Sequence, residues 1–569
     1  MNVNRNYKKF RVIYKINYEE PELSLSVSIG IDWLDLKADV NFGREKLGFD
    51  KIVNALISHE RFVKMSDGSL GTIPKKWISR LSGIIGFLNK NKESGTYRAS
   101  RTQMEIVESL LGIAKKSKVD KPYKDLLRKF KNFKEIKQAQ LPKRLSGRLR
   151  EYQKEGYNWL NFLKEFSFGG CLADEMGLGK TLQVLALLLH EKEDGNITPS
   201  LIVVPTSLVF NWVQEIAKFA PFLNVYVHHG PKRLKDIGRI LQKAPDLIVT
   251  TYATLREDIE MLNGNEYHYA ILDESQQIKN PLAKNTKSVY SLKSKYRLVM
   301  TGTPVENNYL ELWSQFAFLN PGMLGNVEHF RKMFMSEGKD KEDKILALKN
   351  IINPFILMRK KEMVAKELPQ KQITVLYCEM DEKQREIYDY WKDKYKAEIH
   401  ASIKEVGLMK SKIKILQSLT PLRQICNHPY LIDESFTGES GKFNLIISQI
   451  EEIISEGHKV LIFSAFVKML NVFRNYFIKN NIKFSYICGE TRDRESEVRN
   501  FQEDGSVQAF LISLKAGGFG LNLTAADYVF IVDPWWNPAA EMQAIDRTHR
   551  IGQTKNVFVY KAIIKDSIE

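Results

Sequence analysis

Apolar and polar residues alternate strictly near the start of the chain. Leu23, Leu25, Val27, Ile29 and Ile31 fall on one side and Ser24, Ser26 and Ser28 on the other, which predicts a half-buried strand. An Asp67-Gly68 pair after Phe62 and Val63 predicts a turn between two strands. Leu126, Phe130 and Phe133 then recur at helical spacing, predicting an amphipathic helix. From residue 146 the pattern changes to short apolar runs followed by helical patterns: 171–173, 201–204, 247–249, 269–272 and 298–300. Each run ends in small, polar or charged residues, as where buried parallel strands deliver loops to a functional edge. The scheme returns at 460–463, 484–487, 509–512, 529–532 and 557–560. Between the two series, residues 381–419 read as charged helix, with Asp381 as N-cap and Gln384 completing a capping box. The pattern divides the chain into 1–140, 146–365 and 366–569. The fold class it predicts is α/β, two parallel-sheet lobes with helical insertions, preceded by an α+β N-terminal region.

Composition adds constraints. At 569 residues the chain is long enough for several domains. No apolar run approaches bilayer length, and the opening MNVNRNYKKF lacks the apolar core of a signal peptide, so a soluble, cytoplasmic protein with no membrane partner is expected. The four cysteines, Cys171, Cys378, Cys426 and Cys488, lie far apart with no CxxC pair, which suits reduced, buried thiols. The formal charge is +17, and residues 115–150 alone hold 14 basic side chains against three acidic ones. A concentrated basic segment favours a polyphosphate partner. The first block shows no chemistry of its own and is expected to be a docking or regulatory module.

Three strings carry chemistry. The first is Asp174-Glu175-Met176-Gly177-Leu178-Gly179-Lys180-Thr181, after an apolar run and before a helical pattern, the context of a phosphate-binding loop. Gly177 and Gly179 let main-chain N–H groups close on phosphate oxygens, and the helix N-terminus adds favourable dipole charge. Lys180 is expected against the β- and γ-phosphates of ATP and the Thr181 hydroxyl on Mg²⁺. Asp174 stands where a general phosphate loop has glycine. The second string, Ile271-Leu272-Asp273-Glu274-Ser275-Gln276, ends an apolar strand in two carboxylates. Asp273 suits Mg²⁺ and Glu274 suits the base or orienting group for the attacking water. The third runs from Gln543 to Gln553, with Arg547 and Arg550 three apart and so expected on one helix face. From the second lobe they are expected to act as arginine fingers on the transferring phosphoryl group.

With these strings stand LREYQKEGYNWL (149–160), LIVVPTSLVFNW (201–212), VTTYATLRED (249–258), DESQQIKN (273–280), LVMTGTPVEN (298–307), LRQICNHPYL (422–431), SLKAGGFGLNLTAAD (513–527), DPWWNP (533–538) and QAIDRTHRIGQ (543–553). In that order they cover residues 146–569, and the chain resembles the Swi/Snf family of ATPases within helicase superfamily two. The resemblance implies two RecA-like lobes and further roles. Gln153 matches the glutamine that reads adenine, and Glu175, Met176, Leu178 and Gln543 complete the ATP-binding set. Thr301, Gly302 and Thr303 match the element coupling hydrolysis to lobe movement. Pro205, Thr206, Thr251, Tyr252, Ser464 and Asn522 match positions lining the nucleic-acid track, and Trp535 and Trp536 either face that track or pack the second lobe. Asp174 is normal in this family. DWLDLKADV (32–40) and DGSLGTIPKKW (67–77) also resemble the region upstream of bacterial Swi/Snf-type enzymes.

The sequence departs from the family pattern in three places. Ser275 and Gln276 follow the two carboxylates where Ala-His or Gly-His is usual, Ala465 replaces a glutamine, and the chain stops at Glu569, before the bracing helices that members normally carry. That last feature predicts a truncated chain. The function implied is an ATP-dependent translocase on double-stranded DNA, monomeric, that remodels or displaces a protein cargo. Two alternatives stand beside it: a strand-separating DNA or RNA helicase, for which no wedge is legible, and a DNA-binding scaffold switched by ATP, which predicts loss of a catalytic residue.

Overall fold

A computed structural model describes residues 15–30, 33–58, 60–91, 95–131, 136–302, 309–335, 341–365, 368–491, 493–514, 521–534 and 538–569. The chain forms two compact units. One comprises Met1–Ala173, Leu182–Val204 and Ile216–Met358, the other Asp174–Thr181, Pro205–Glu215 and Arg359–Glu569.

The first unit opens with the alternating strand, Pro21–Ile29, paired antiparallel with Trp33–Phe42 and parallel with Lys116–Val119. Leu23, Leu25 and Val27 are buried, as the alternation requires, while Ser26 and Ser28 face solvent. Asp67-Gly68 turns the chain between Phe62–Lys64 and Leu70–Thr72, with Gly68 at φ +85°, and Asp67 accepts bonds from the Ser69 N–H and hydroxyl. The basic segment forms the helix Lys121–Lys131, with Tyr123 buried and the Phe130 ring against Phe166, Phe168 and Phe355. Phe133 lies outside the described residues.

The same unit holds a seven-stranded sheet, all parallel. Its order is Val225–His228, Leu247–Thr251, Ser200–Val204, Tyr267–Asp273, Ser294–Met300, Gly170–Leu172 and Ile356–Leu357. Side chains of its inner strands are buried on both faces, which is why they read as unbroken apolar runs. The second unit holds a six-stranded parallel sheet ordered Lys371–Cys378, Val557–Ile564, Tyr528–Ile531, Val460–Ser464, Ala509–Ser513 and Phe484–Ile487. Val460 and Ile462 pack into one core, Leu461 and Phe463 into another on the opposite face. Both sheets match the expected pair of RecA-like lobes.

The helical region between the lobes is two long helices, Glu382–Val406 and Leu408–Asn427. Asp381 caps the first, accepting from the Lys383 N–H. Gln384 does not close the expected capping box. It is fully buried, donating to the Ile425 carbonyl at 2.7 Å and accepting from the Gly441 N–H, because those buried main-chain groups have a stronger claim on it than a solvated helix end. The four cysteines are buried and in no disulfide. Among the described residues no helix is long and apolar enough to cross a membrane.

Candidate ATP site and nucleic-acid track

The phosphate loop leaves the strand Gly170–Leu172, and the helix Lys180–Glu193 begins at the lysine itself. Gly177 and Gly179 take φ of +87° and +77°, conformations that cost an L side chain stability, so the loop can close only with glycine there. Lys180 Nζ folds back to donate to the Asp174 carbonyl at 2.7 Å, which holds an ammonium inside the loop. A Cβ added to Gly177 would lie 2.6 Å from Arg550 Cβ, so Gly177 also makes room for the Arg550 segment.

Two residues that the sequence strings passed over organise this loop. Arg359 donates from Nε to one oxygen of the fully buried Asp174 at 2.8 Å and from Nη2 to the other. Asp174 therefore gives its side chain to Arg359 and its main-chain carbonyl to Lys180. Lys361, also buried, donates from its main-chain N–H to Glu175 at 2.8 Å. Its Nζ meets Asp546 Oδ1 at 2.8 Å and the His549 carbonyl at 2.6 Å. Burial pulls the Lys361 ammonium below its ordinary pKa, against the opposing pull of Asp546 and Glu175. The signal in the sequence was the basic Arg359-Lys360-Lys361 run following an apolar stretch.

The expected shared helix face for Arg547 and Arg550 is corrected. The helix Pro538–Ile545 stops before both; Arg547 sits in a turn and Arg550 in a bend. The backbone tightens there because its carbonyls are claimed from outside: that of His549 by Lys361, and that of Arg547 by the Leu523 N–H at 3.1 Å. Burial draws the Arg550 guanidinium below its ordinary value, with Glu215 and Asp546 opposing. Gln543 lies on the helix itself, half-buried.

In the first unit, Tyr267–Asp273 is buried along its whole length and ends in the carboxylate pair. Glu274 has φ +49°, an uncommon and strained conformation for a residue with a side chain, and its N–H donates to Asp273 Oδ1 at 2.9 Å. Gln276 donates to Glu274 Oε2 at 2.9 Å, and its carbonyl oxygen lies 3.4 Å from the Thr301 hydroxyl. Gln276 thus links the acidic pair to the strand-end turn that begins at Thr301. Gly302 follows in a bend; Thr303 lies outside the described residues. Gln153 is buried and its carbonyl oxygen accepts from the Arg150 N–H at 2.9 Å, capping its own helix Glu151–Glu165.

The residues fit the groups the family implies. The glycine conformations and the inward ammonium suit a triphosphate. The Thr181 hydroxyl and the Asp273 carboxylate are hard oxygen donors of the kind Mg²⁺ takes alongside water and phosphate.

Three of the expected track residues come together. Pro205, Thr206 and Asn522 line one cavity of about 860 Å³, with Arg494 and Arg499 beside them. Thr251, Tyr252 and Ser464 are not among the residues lining it. Thr251 is 1 % exposed and caps the helix Tyr252–Glu257, accepting from the Thr254 N–H at 3.1 Å. Tyr252 is buried, its hydroxyl donating to the Asp273 carbonyl at 2.8 Å. Ser464 is fully buried and donates to Asp533 Oδ1 at 2.5 Å. Their polar groups satisfy buried main chain and carboxylate. Trp535 and Trp536 lie outside the described residues.

Two all-parallel sheets, with a glycine-shaped phosphate loop packed against the Arg550 segment, fit a helicase-like ATPase class. Comparison with known proteins gives the family. The "SNF2-related domain" model matches residues 152–431, the "Helicase conserved C-terminal domain" 441–552 and "Bacterial SNF2 helicase associated" 7–142. The chain belongs to the SNF2 family of helicase-like ATPases. It is 38% identical over 425 residues to an "Uncharacterized ATP-dependent helicase" of Mycoplasma pneumoniae, covering 74% of this chain and 40% of that one. It is also 38% identical over 467 residues to the "Putative ATP-dependent helicase/translocase YwqA" of Bacillus subtilis, covering 79% and 50%. The chain spans about half or less of the length of these curated relatives. Among solved structures, the Sulfolobus solfataricus SWI2/SNF2 ATPase core in complex with dsDNA is 39% identical, over 75% of this chain and 90% of that one, with a TM-score of 0.41.

Proposed function

We propose that the chain is an ATP-dependent translocase on double-stranded DNA that displaces or remodels DNA-bound protein. The observation that carries this reading is the phosphate loop itself, with Lys180 drawn inside it and Gly177 packed against Arg550. The full set of hydrolytic side chains argues against a non-hydrolysing scaffold. The word "translocase" in the name of the Bacillus relative agrees with the reading.

In this account Gly177, Gly179 and Lys180 hold the phosphates, Gln153 and Gln543 border the rest of the nucleotide, and Thr181 and Asp273 hold Mg²⁺. Bound there, the cation offsets negative charge on the phosphate oxygens. Glu274 orients and deprotonates the attacking water, held by its strained backbone and by Gln276. Arg547 and Arg550 offset charge that develops on the transferring group. Gln276 and Thr301 relay the state of the carboxylates to the rest of the lobe. Pro205, Thr206 and Asn522 follow the DNA backbone without reading sequence. Such a motor works in the bacterial cytoplasm, as a monomer.

The test is displacement of a third strand from a triplex-bearing duplex. ATP-dependent release of the third strand with the duplex intact supports the proposal. Separation of the duplex strands instead would replace it with a strand-separating helicase.

A further inference from the structure

The N-terminal sheet has a face that nothing in the hydrolytic account uses. Its helices Phe49–Ile57 and Met104–Leu111 bury their apolar sides together with Leu23, Leu25, Leu34 and Leu36. The opposite face is polar. Register places Ser24 between Asp39 and Lys116, Ser26 between Lys37 and Lys118, and Ser28 opposite Asp35.

The charges on this face are unequally matched. Asp39 pairs with Lys46 at 2.8 Å, Asp35 with Arg98 at 3.2 Å, and Glu22 with Lys115. Lys37, Lys116 and Lys118 are exposed and, among the described residues, in no ion pair. With the acids neutralised locally, the face keeps three positive charges set among serine hydroxyls. Strands repeat at about 4.8 Å, so the row Lys118–Ser26–Lys37 spaces its two lysines about 10 Å apart. Lys116–Val119 is the edge strand, and the helix Lys121–Lys131 follows it with Lys121 and Lys124 exposed.

This module is also fastened to the first lobe. Gln103, fully buried, donates to the Phe87 carbonyl at 3.0 Å and the Met323 carbonyl at 2.7 Å. The Phe87 ring stacks on Phe330 and Phe334, with centroids 6.2 and 6.4 Å away. Anything held on the module's open face moves with the seven-stranded sheet.

We propose that this face, through Lys37, Lys116 and Lys118 and the hydroxyls of Ser24, Ser26 and Ser28, is a second contact for the phosphate backbone of duplex DNA. It rests on the translocase reading, and its part is to hold the track on the first lobe rather than to drive hydrolysis. Lysines and hydroxyls bind phosphate without sequence readout, which a moving contact requires.

The test uses the full chain and its K37Q/K116Q/K118Q variant, with affinity for a labelled blunt duplex measured by anisotropy across a salt series. Each phosphate contact adds about 0.9 to the slope of log affinity against log salt, so the variant's slope should be shallower by about 2 to 3. In duplex-stimulated ATP hydrolysis the DNA concentration for half-maximal rate should rise, with kcat at saturating DNA unchanged. A K51Q/K75Q/K76Q variant removes three exposed lysines elsewhere on the module and should keep the wild-type slope. An unchanged slope in K37Q/K116Q/K118Q overturns the proposal while leaving the translocase reading intact. So does binding to phosphatidylglycerol vesicles that the substitutions abolish while the duplex slope stays as in the wild type. Failure of the wild-type chain itself to bind duplex overturns the translocase reading and this one with it.

Discussion

Replacing Lys361 with methionine keeps the length of an apolar stem and deletes one charge. The lysine is 3 % exposed, and its ammonium lies 2.8 Å from Asp546, 2.6 Å from the His549 carbonyl and 3.8 Å from Glu175. Asp546 is equally buried, so the substitution leaves a carboxylate and a carbonyl without the donor that satisfied them. Breaking a buried ion pair from one side costs roughly 3–5 kcal/mol. Lys371 lies 3.8 Å from the same carboxylate and partly compensates, which puts the expectation at the lower end, about 3 kcal/mol. Asp546→Asn combined with Lys361→Met removes the stranded charge, and the pair should then cost well under the sum of the single variants, with a coupling of about 2 kcal/mol. Urea denaturation of the four proteins of that cycle measures it. A loss below about 1 kcal/mol in Lys361→Met, or simple additivity in the double variant, would refute the view that this lysine holds the Asp546–His549 segment.

Arg550→Ala should keep ATP affinity and lose turnover by roughly 10³-fold or more, since a finger acts on the transition state; nucleotide binding together with steady-state hydrolysis checks it, and loss of DNA affinity alone would assign Arg550 to the track. Gly177→Ala meets both a φ of +87° and Arg550 Cβ at 2.6 Å, so it should weaken nucleotide binding at least tenfold, measured by fluorescent-nucleotide titration. Complete burial pushes the Asp533 carboxyl up to about 7 from an ordinary 3.8, despite bonds from Ser464 and the Ala465 N–H. Over that window the folded state holds a proton that the unfolded state has released, so stability should fall as pH rises from about 4 to 7. Asp533→Asn should flatten that part of the profile in denaturation midpoints taken across the range.

Most of the interior strands were legible because a parallel strand covered on both faces must be apolar at every position. All ten apolar runs became strands. The strands Val225–His228, Ile356–Leu357 and Lys371–Cys378 went unread, and each is at a sheet edge. Lys371–Cys378 shows why: it exposes Ile373, Val375 and Tyr377, so its short apolar run at 375–378 does not belong to a strand covered on both faces. In the candidate site, the phosphate loop was legible because its glycines and lysine are adjacent in sequence. Arg359 and Lys361 were not, since a run of basic residues reads as a solvated surface until the fold brings Asp174 and Asp546 to it. Thr251, Tyr252 and Ser464 show a different limit of sequence patterns. Hydroxyls after a strand are consistent with a track, yet each has a buried carbonyl, N–H or carboxylate closer to hand.

The central claim, an ATPase driven by duplex DNA, is tested most directly by steady-state ATP hydrolysis with no nucleic acid, duplex DNA, single-stranded DNA or RNA, beside Glu274→Gln as a control. Strong stimulation by the duplex, weak or none by the others, and none of it in Glu274→Gln is the expected result. Equal or greater stimulation by single strands or RNA, or hydrolysis that survives in Glu274→Gln, would contradict the account.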